Sequence, residues 1–239
     1  VVKGEVLKDM IKKTIFATAD NGAKIVHTGV RFEISSGNIR LVAVDGYKLA
    51  IRNEKIDYEG EEKNFIIPKK TLNEIMKLAG DGDETVSMIV ASRHIMFECG
   101  NYYIVSRLLE GDFVNYQKTL PSDFKQRVVV NTRELINTIE RVSLLISESF
   151  TTPIRCYFNE LNVVFTCATA MGRATETFNT KLEGENFEIG LNSRYLLEAL
   201  KACEAENVQI LFNGPNVGVM IVPTEGDDFQ YMIMPMRLK

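Results

Sequence analysis

The stretch FIIPKKTLNEIMKLAGDGDETVSMIVASRHIMFECG (residues 65–100) has a counterpart in FEIGLNSRYLLEALKACEAENVQILFNGPNVGVMIV (residues 187–222). Each runs as strand, short turn, amphipathic helix, acidic loop, strand, tight turn, strand. ETVSMIV answers ENVQILF, with Val86 opposite Val208 at an offset of 122 residues. Self-similarity of this kind fixes the architecture before any single element does. The upstream segments agree. VLKDMIKKTIFATA precedes VRFEISSGNIRLVAVDG, and TRELINTIERVSLLI precedes IRCYFNELNVVFTCATA. Each half therefore reads helix, strands, helix, strands. The linker is expected near LPSDFKQR, where Pro121 and a polar stretch break the pattern.

The strands alternate. Val30, Phe32 and Ile34 share one face, with Arg31, Glu33 and Ser35 on the other, and Val86, Met88 and Val90 alternate likewise. That is the period of a half-buried antiparallel strand. Gly100-Asn101 and Asn159-Glu160 are placed as hairpin turns. The fold class is α+β, in two copies with two helices each on antiparallel sheets.

The helices are amphipathic. Leu7, Met10, Ile11 and Ile15 form the inner stripe of the first, with Lys8 and Lys12 outside. The second is expected to open on a capping box of Thr71 and Glu74, after Lys69 and Lys70, and to bury Leu72, Ile75, Met76 and Leu78. The third starts around Asn131 and Glu134, buries Leu135, Ile139 and Val142, and shows Arg133, Asn137 and Arg141. The fourth is expected to be capped by Ser193, with Arg194, Glu198 and Lys201 outward. Each thus offers a base to solvent. Any surface helix has a charged outer face, so the stripes alone do not identify a polyanion partner.

The totals fit a globular protein of one or two domains: 239 residues, 45% hydrophobic, 25% charged, net charge −4. The opening VVKGEVLKDM is mixed and charged, unlike a secretory leader, and it lacks Met, as a fragment of a longer protein would. No apolar run nears the roughly 18 residues of a membrane span. Cys99, Cys156, Cys167 and Cys203 form no CxxC pair and are expected to be buried free thiols of a cytoplasmic protein.

Catalytic patterns are scarce. His27 and His94 are placed in separate strand-like stretches without metal-ligand spacing to Cys, His or carboxylate. No Walker loop, complete GxGxxG or GxSxG elbow occurs, and GDGDE lacks the rest of a calcium loop. No metal or cofactor is expected, and the enzyme classes lose weight against binding functions.

VAVDGYKLA (42–50), IIPKK (66–70), SRLLEGDFVNYQKTLP (106–121), GRATET (172–177) and the terminal YMIMPMRL (231–238) stand in an order and spacing that resembles the bacterial DNA sliding clamps, the β subunits of replicative DNA polymerase III. The resemblance covers essentially the whole chain. It implies tandem clamp domains: a middle domain over 1–121 and a C-terminal domain over 122–239, with the N-terminal clamp domain outside this chain. In that family three copies of one α+β domain per subunit, and two subunits, close a ring around duplex DNA, with sheets outside and helices lining the hole. The family is a non-catalytic processivity factor. Its homodimeric ring holds DNA without reading sequence, through weak phosphate contacts. The resemblance assigns that DNA-facing role to Lys8, Lys12, Lys24, Lys69, Lys70, Arg133, Arg141, Arg194 and Lys201.

It also implies a pocket where short linear motifs of the polymerase, the clamp loader and repair proteins dock. Carried over by position, its wall is Val44, Gly46, Tyr47, Lys48 and Leu49, then Val114, Lys118 and Thr119, then Met232, Met234, Pro235, Met236, Arg237 and Leu238. Methionines suit such a surface because they are flexible and polarisable. Pro235 stiffens the strand end, Gly46 is expected to permit close backbone approach, and Arg237 suits a partner's carbonyl or carboxylate. Other members often carry small polar, His, Arg and Pro residues at positions 44, 47, 48 and 114, and here Lys239 follows the usual final leucine. Leu144 and Leu145 are expected at the subunit interface. The fragment by itself is expected to be monomeric and unable to close a ring. Two other readings stay open: a two-domain enzyme with an unrecognised site, and a peptide-binding scaffold of clamp fold outside replication.

Overall fold

Strand-period and helix-period segments alternate along the chain, and the folding follows that alternation. The computed structural model describes residues 1–21, 24–80, 82, 84–146 and 152–238. They belong to two compact units, Val1–Asn115 and Tyr116–Lys239. The break falls ahead of the expected boundary at 121/122. Tyr116 is buried and opens a 3-10 turn over Tyr116–Thr119. Part of the expected linker is committed to the second unit, because the Lys125 amide donates to the Phe212 carbonyl at 3.0 Å.

The first unit contains β1 (Val2–Lys3), α1 (Gly4–Ile15), β2 (Gly29–Ser35), β3 (Asn38–Val44), β4 (Lys48–Lys55), β5 (Lys63–Pro68), α2 (Lys69–Leu78), β6 (Thr85–Val90), β7 (His94–Cys99) and β8 (Tyr102–Arg107). Its sheets are antiparallel, in the orders β1-β6-β7-β8 and β4-β3-β2-β5. The unit is thus two βαβββ halves that exchange first strands: β1 completes the sheet of β6–β8, and β5 that of β2–β4.

The second unit repeats the plan with β9 (Gln126–Asn131), α3 (Thr132–Val142), β10 (Ile154–Phe158), β11 (Asn162–Thr169), β12 (Gly172–Asn179), a short β13 (Leu182–Glu183), β14 (Phe187–Leu191), α4 (Ser193–Cys203), β15 (Asn207–Phe212), β16 (Val219–Pro223) and β17 (Phe229–Ile233). Here β9 joins β15–β17 and β14 joins β10–β12, while β13 pairs with the outer side of β9. The registers match as well. Val2 faces Val86 as Val130 faces Val208, and Phe32 faces Phe65 as Phe158 faces Phe187. Both phenylalanine pairs stack, with centroids 5.5 Å and 4.8 Å apart.

Leu7, Met10 and Ile11 of α1 and Leu72 and Ile75 of α2 are fully buried, as are Ile139, Val142, Ala199 and Leu200 of α3 and α4. The apolar stripes read from sequence are these, although Ile15, Met76 and Leu78 are only half-buried. Asn131 caps α3 as expected, its side-chain oxygen accepting from the Glu134 amide at 3.1 Å. Two other caps differ. In α4 the cap is Asn192, which accepts from the Tyr195 amide at 3.2 Å, and Ser193 is already inside the helix and buried. In α2 no capping box forms. Pro68 occupies the cap position and the helix begins at Lys69, so Lys69 and Lys70 lie in its first turn. Proline has no amide to lose at a helix start and its fixed φ suits the position, while Thr71 pairs its hydroxyl with Ser106 at 2.7 Å.

Gly100, at φ +57°, turns β7 into β8 as expected. The second predicted turn is longer, spanning 159–161, because the Asn159 side chain accepts from the amides of both Leu161 and Asn162 at 3.2 Å. His27 sits in a 3-10 turn, Ile25–Thr28, rather than a strand. All four cysteines are buried free thiols, and burial, aided by Glu188, pushes the Cys156 thiol far above its ordinary pKa.

Candidate docking and nucleic-acid surfaces

The tail of the second unit is ordered by a specific contact. After β17 the chain bends back so that the Met236 amide donates to the Gly190 carbonyl at 2.8 Å, forming an isolated antiparallel bridge to β14. Met232 is buried, Met234 is 37% exposed, Pro235, Met236 and Leu238 are half-buried, and Arg237 is exposed. Met232 is the core methionine of the tail, and Leu238 lies against β14 at Gly190. Lys239 lies outside the described residues.

In the first unit the segment between β3 and β4 is a braced turn. Asp45 accepts from the amides of Tyr47 at 2.8 Å and Lys48 at 2.7 Å. Gly46 has φ +94°, and a Cβ there would meet no atom within 4 Å. The left-handed backbone there is one that favours glycine. Tyr47 is 62% exposed, while Val44 and Leu49 are buried. Lys48 turns inward: its ammonium donates to the Phe16 carbonyl at 2.9 Å, lies 3.6 Å from Asp45, and sits over the Phe16 ring. Its chemistry is that of a brace for the turn. Lys48→Ala is expected to destabilise the first unit by about 1–3 kcal/mol, by removing a charged donor from the part-buried Phe16 carbonyl. A denaturant midpoint equal to wild type would show that the ammonium holds nothing.

Val114 is half-buried in the first unit, and Lys118 and Thr119 are exposed in the second. The segment leading to Val114 is pinned by Phe113, which His27 meets edge-on with centroids 5.8 Å apart and over which Arg31 lies. Burial, then the nearby Lys24, hold the His27 pKa below its ordinary value, with Asp45 pulling the other way. The unfolded chain thus takes up the proton first. Stability from neutral His27 is fully present above about pH 6.5 and is lost as pH falls from there toward the lower folded pKa. Wild-type stability is expected to fall more steeply than that of His27→Gln between about pH 7 and pH 5.5; parallel curves would remove His27 from the account.

The nine cations assigned to DNA are distributed over all four helices and the turn before β2, and many are already paired. Lys69 meets Asp20 at 2.8 Å, Lys201 meets Glu140 at 2.6 Å, and Arg194 meets Glu198 at 2.8 Å. Arg141 grips both Glu176 oxygens, at 3.1 and 3.0 Å, and this hydrogen bonding holds the Glu176 carboxyl below the usual carboxylate range. Lys12, Lys24, Lys70 and Arg133 are exposed and Lys8 is half-buried. Among the described residues, Lys70 and Arg133 have no carboxylate within ion-pair distance. Such a surface is electrostatically mild. A groove between α3 and β12, lined by Glu134, Asn137, Thr138, Arg141 and Phe178, has a volume of about 330 Å³. Leu144 is 82% exposed and Leu145 half-buried, in a 3-10 turn after α3. No three His, Cys, Asp or Glu gather into a metal-binding cluster among the described residues.

Three features escaped the sequence: the Asp45 bracket, the inward Lys48, and the glycine that receives the tail. The Asp-Gly pair was a legible turn signal. Nothing local marks Gly190, because its partner lies 46 residues away.

Comparison with known proteins places both units. Residues 1–115 match the DNA polymerase III beta subunit, central domain, and residues 117–237 match its C-terminal domain. The chain is 32% identical over 235 residues to the beta sliding clamp of Staphylococcus epidermidis, covering 98% of this chain and 62% of that protein. The crystal structure of the Bacillus subtilis DNA polymerase sliding clamp superposes with a TM-score of 0.96 at 27% identity, covering 100% of this chain and 64% of that one. A Pseudomonas aeruginosa sliding clamp bound to griselimycin gives a TM-score of 0.94 at 27% identity, covering 99% and 64%. The chain spans less than two thirds of the length of these relatives. With one domain profile matched on each unit and the same α+β plan repeated in both, the chain belongs to the DNA polymerase III β-subunit family.

Proposed function

We propose that this chain is the partner-docking part of a replication processivity factor: a non-catalytic clamp whose ring surrounds duplex DNA, and which holds the polymerase and other replication proteins by short peptide motifs. The observation that carries the reading is the presented tail. A chain end rich in methionine is held to β14 by a backbone hydrogen bond, yet Met234 and Arg237 stay exposed. An ordered apolar edge with one cation at its end suits an extended peptide with apolar anchors. In this reading Tyr47 and Val114 of the first unit, and Lys118 and Thr119 of the second, are further peptide-binding residues. Lys48 contributes through the turn that it braces.

The proposed DNA contact is weak. Lys70 and Arg133 are its principal cations, because Lys69, Arg141, Arg194 and Lys201 already have carboxylate partners that a phosphate must displace. Weak, sequence-independent contact is what a sliding ring needs. Cytoplasmic location and a homodimeric ring follow from this reading and stand with it.

The test is fluorescence anisotropy of a labelled peptide carrying Gln-x-x-Leu-Phe, titrated with the 239-residue protein. Saturable binding is expected. A folded protein that leaves the anisotropy unchanged would overturn the docking assignment.

A further inference from the structure

We propose that Gly190 is a positioning residue for the docking tail, which it seats by having no side chain. The proposal rests on the docking reading and adds the element that fixes the tail's place. A Cβ at position 190 would lie 2.6 Å from the Met236 carbonyl oxygen and 2.7 Å from Leu238 Cδ2. Gly190 is not among the residues with positive φ, so its backbone is one that alanine adopts. The requirement is therefore close approach alone. Because the nearest atom is a backbone oxygen, a methyl group is accommodated only if the tail itself moves.

The first unit has a related return but not the same seat. The chain leaving β8 also folds back, with the Leu109 amide donating to the Ile66 carbonyl on β5 at 2.9 Å; the Leu109 side chain lies over Gly29, where a Cβ would come 2.8 Å from Leu109 Cδ1 but closer still to the Ile67 carbonyl oxygen, so Gly29 answers first to its neighbouring strand. By the register that aligns Phe65 with Phe187, position 190 corresponds to Pro68, the cap residue of α2. The second unit thus carries glycine where the first carries proline, and that is where its tail lies. A second glycine, Gly218 next to β16, faces the Met232 side chain, with its would-be Cβ 2.7 Å from Sδ and 2.8 Å from Cγ. Those atoms belong to a flexible chain and yield more readily than a carbonyl. The two glycines therefore differ in what they control, Gly218 a side-chain rotamer and Gly190 the path of the backbone.

The experiment pairs hydrogen exchange at the Met236 amide with the peptide titration, in wild type, Gly190→Ala and Gly218→Ala. Wild type should protect Met236. Gly190→Ala should lose that protection and weaken the peptide by about tenfold or more, since a disordered tail must be ordered at the moment of binding. In that variant the amides of β15 and β16 should stay protected, which separates a misplaced tail from an unfolded unit. Gly218→Ala should change affinity by less than about threefold and keep Met236 protected. A Met236 amide that exchanges freely in wild type overturns the proposal without any variant. So does Gly190→Ala with wild-type exchange or wild-type affinity. If wild type protects Met236 but binds no peptide, the docking reading fails while the seat itself stands measured.

Discussion

Met236→Ala combined with removal of Leu238 and Lys239 is expected to lower affinity for a Gln-x-x-Leu-Phe peptide by about 30-fold or more, as loss of a hot-spot cluster worth 2 kcal/mol or more does. The expectation comes from where the atoms are. The Met236 backbone holds the tail to β14, and Leu238 covers Gly190 beside that bond. The double change removes two apolar side chains from a short edge and loosens what remains. The effect should appear as faster dissociation, since association depends mainly on diffusion and charge, and Arg237 stays in place. The same change should leave thermal stability nearly untouched, because Met236 and Leu238 are only half-buried and the core ends at Ile233 and Met232. Wild-type affinity in this variant, confirmed as folded, would mean that the tail is not the docking edge. A loss of affinity matched by a large fall in melting temperature would mean that the tail is structural instead.

The duplication was the most legible feature of the sequence. Val86 and Val208 stand at equivalent places in the β6 and β15 ladders, and the predicted helices exist with the predicted inner stripes. Periodicity captures what repeats every few residues. It does not capture strand exchange, and that is why the two βαβββ halves within each unit went unread: β1 and β5 are defined by partners some 80 and 30 residues away. The capping errors have a local cause. Thr71 and Ser193 have the right chemistry for a cap, but the preceding Pro68 and Asn192 compete for the position and win it.

The proposed site was legible only in part, and for a similar reason. The identity of the tail is written in YMIMPMRL, but its exposure depends on the strand it returns to. By resemblance Lys48 belongs to the pocket wall. Its ammonium is drawn inward by the Phe16 carbonyl and Asp45, a partnership across more than 30 residues that no spacing rule contains. The helix cations read as a basic stripe, yet much of that charge is cancelled by Asp20, Glu140, Glu176 and Glu198, of which only Glu198 lies on the same helix as the cation it meets. Charge summed along a sequence therefore overstates what a phosphate would meet on this surface.

Phe158→Ala is expected to cost the second unit about 3–5 kcal/mol, the usual range for emptying a buried phenylalanine site. Phe158 is 3% exposed and sits in an aromatic triad. Its ring lies 4.8 Å from Phe187 at an interplanar angle of 3°, and 4.9 Å from Phe212 at 58°, while Phe187 and Phe212 are themselves 4.9 Å apart. The triad ties β10 and β14 of one sheet to β15 of the other, so one truncation removes contacts on both sides of the core. Relaxation is limited, because the flanking positions are strand residues held in register by backbone hydrogen bonds. A domain of this size is stable by roughly 5–15 kcal/mol, so the change consumes a large fraction of the total. Hydrogen exchange should report it as faster exchange by about two to four orders of magnitude in β10, β14 and β15. Phe32→Ala, the equivalent change in the first unit, removes a ring that among the described residues stacks on Phe65 only, at 5.5 Å, and should cost less. If the two variants destabilise equally, the third ring contributes nothing beyond its own burial, and the extra cost must be withdrawn. If Phe158→Ala costs under about 1 kcal/mol, the two sheets are not coupled through these rings, because emptying a tightly packed site cannot be that cheap.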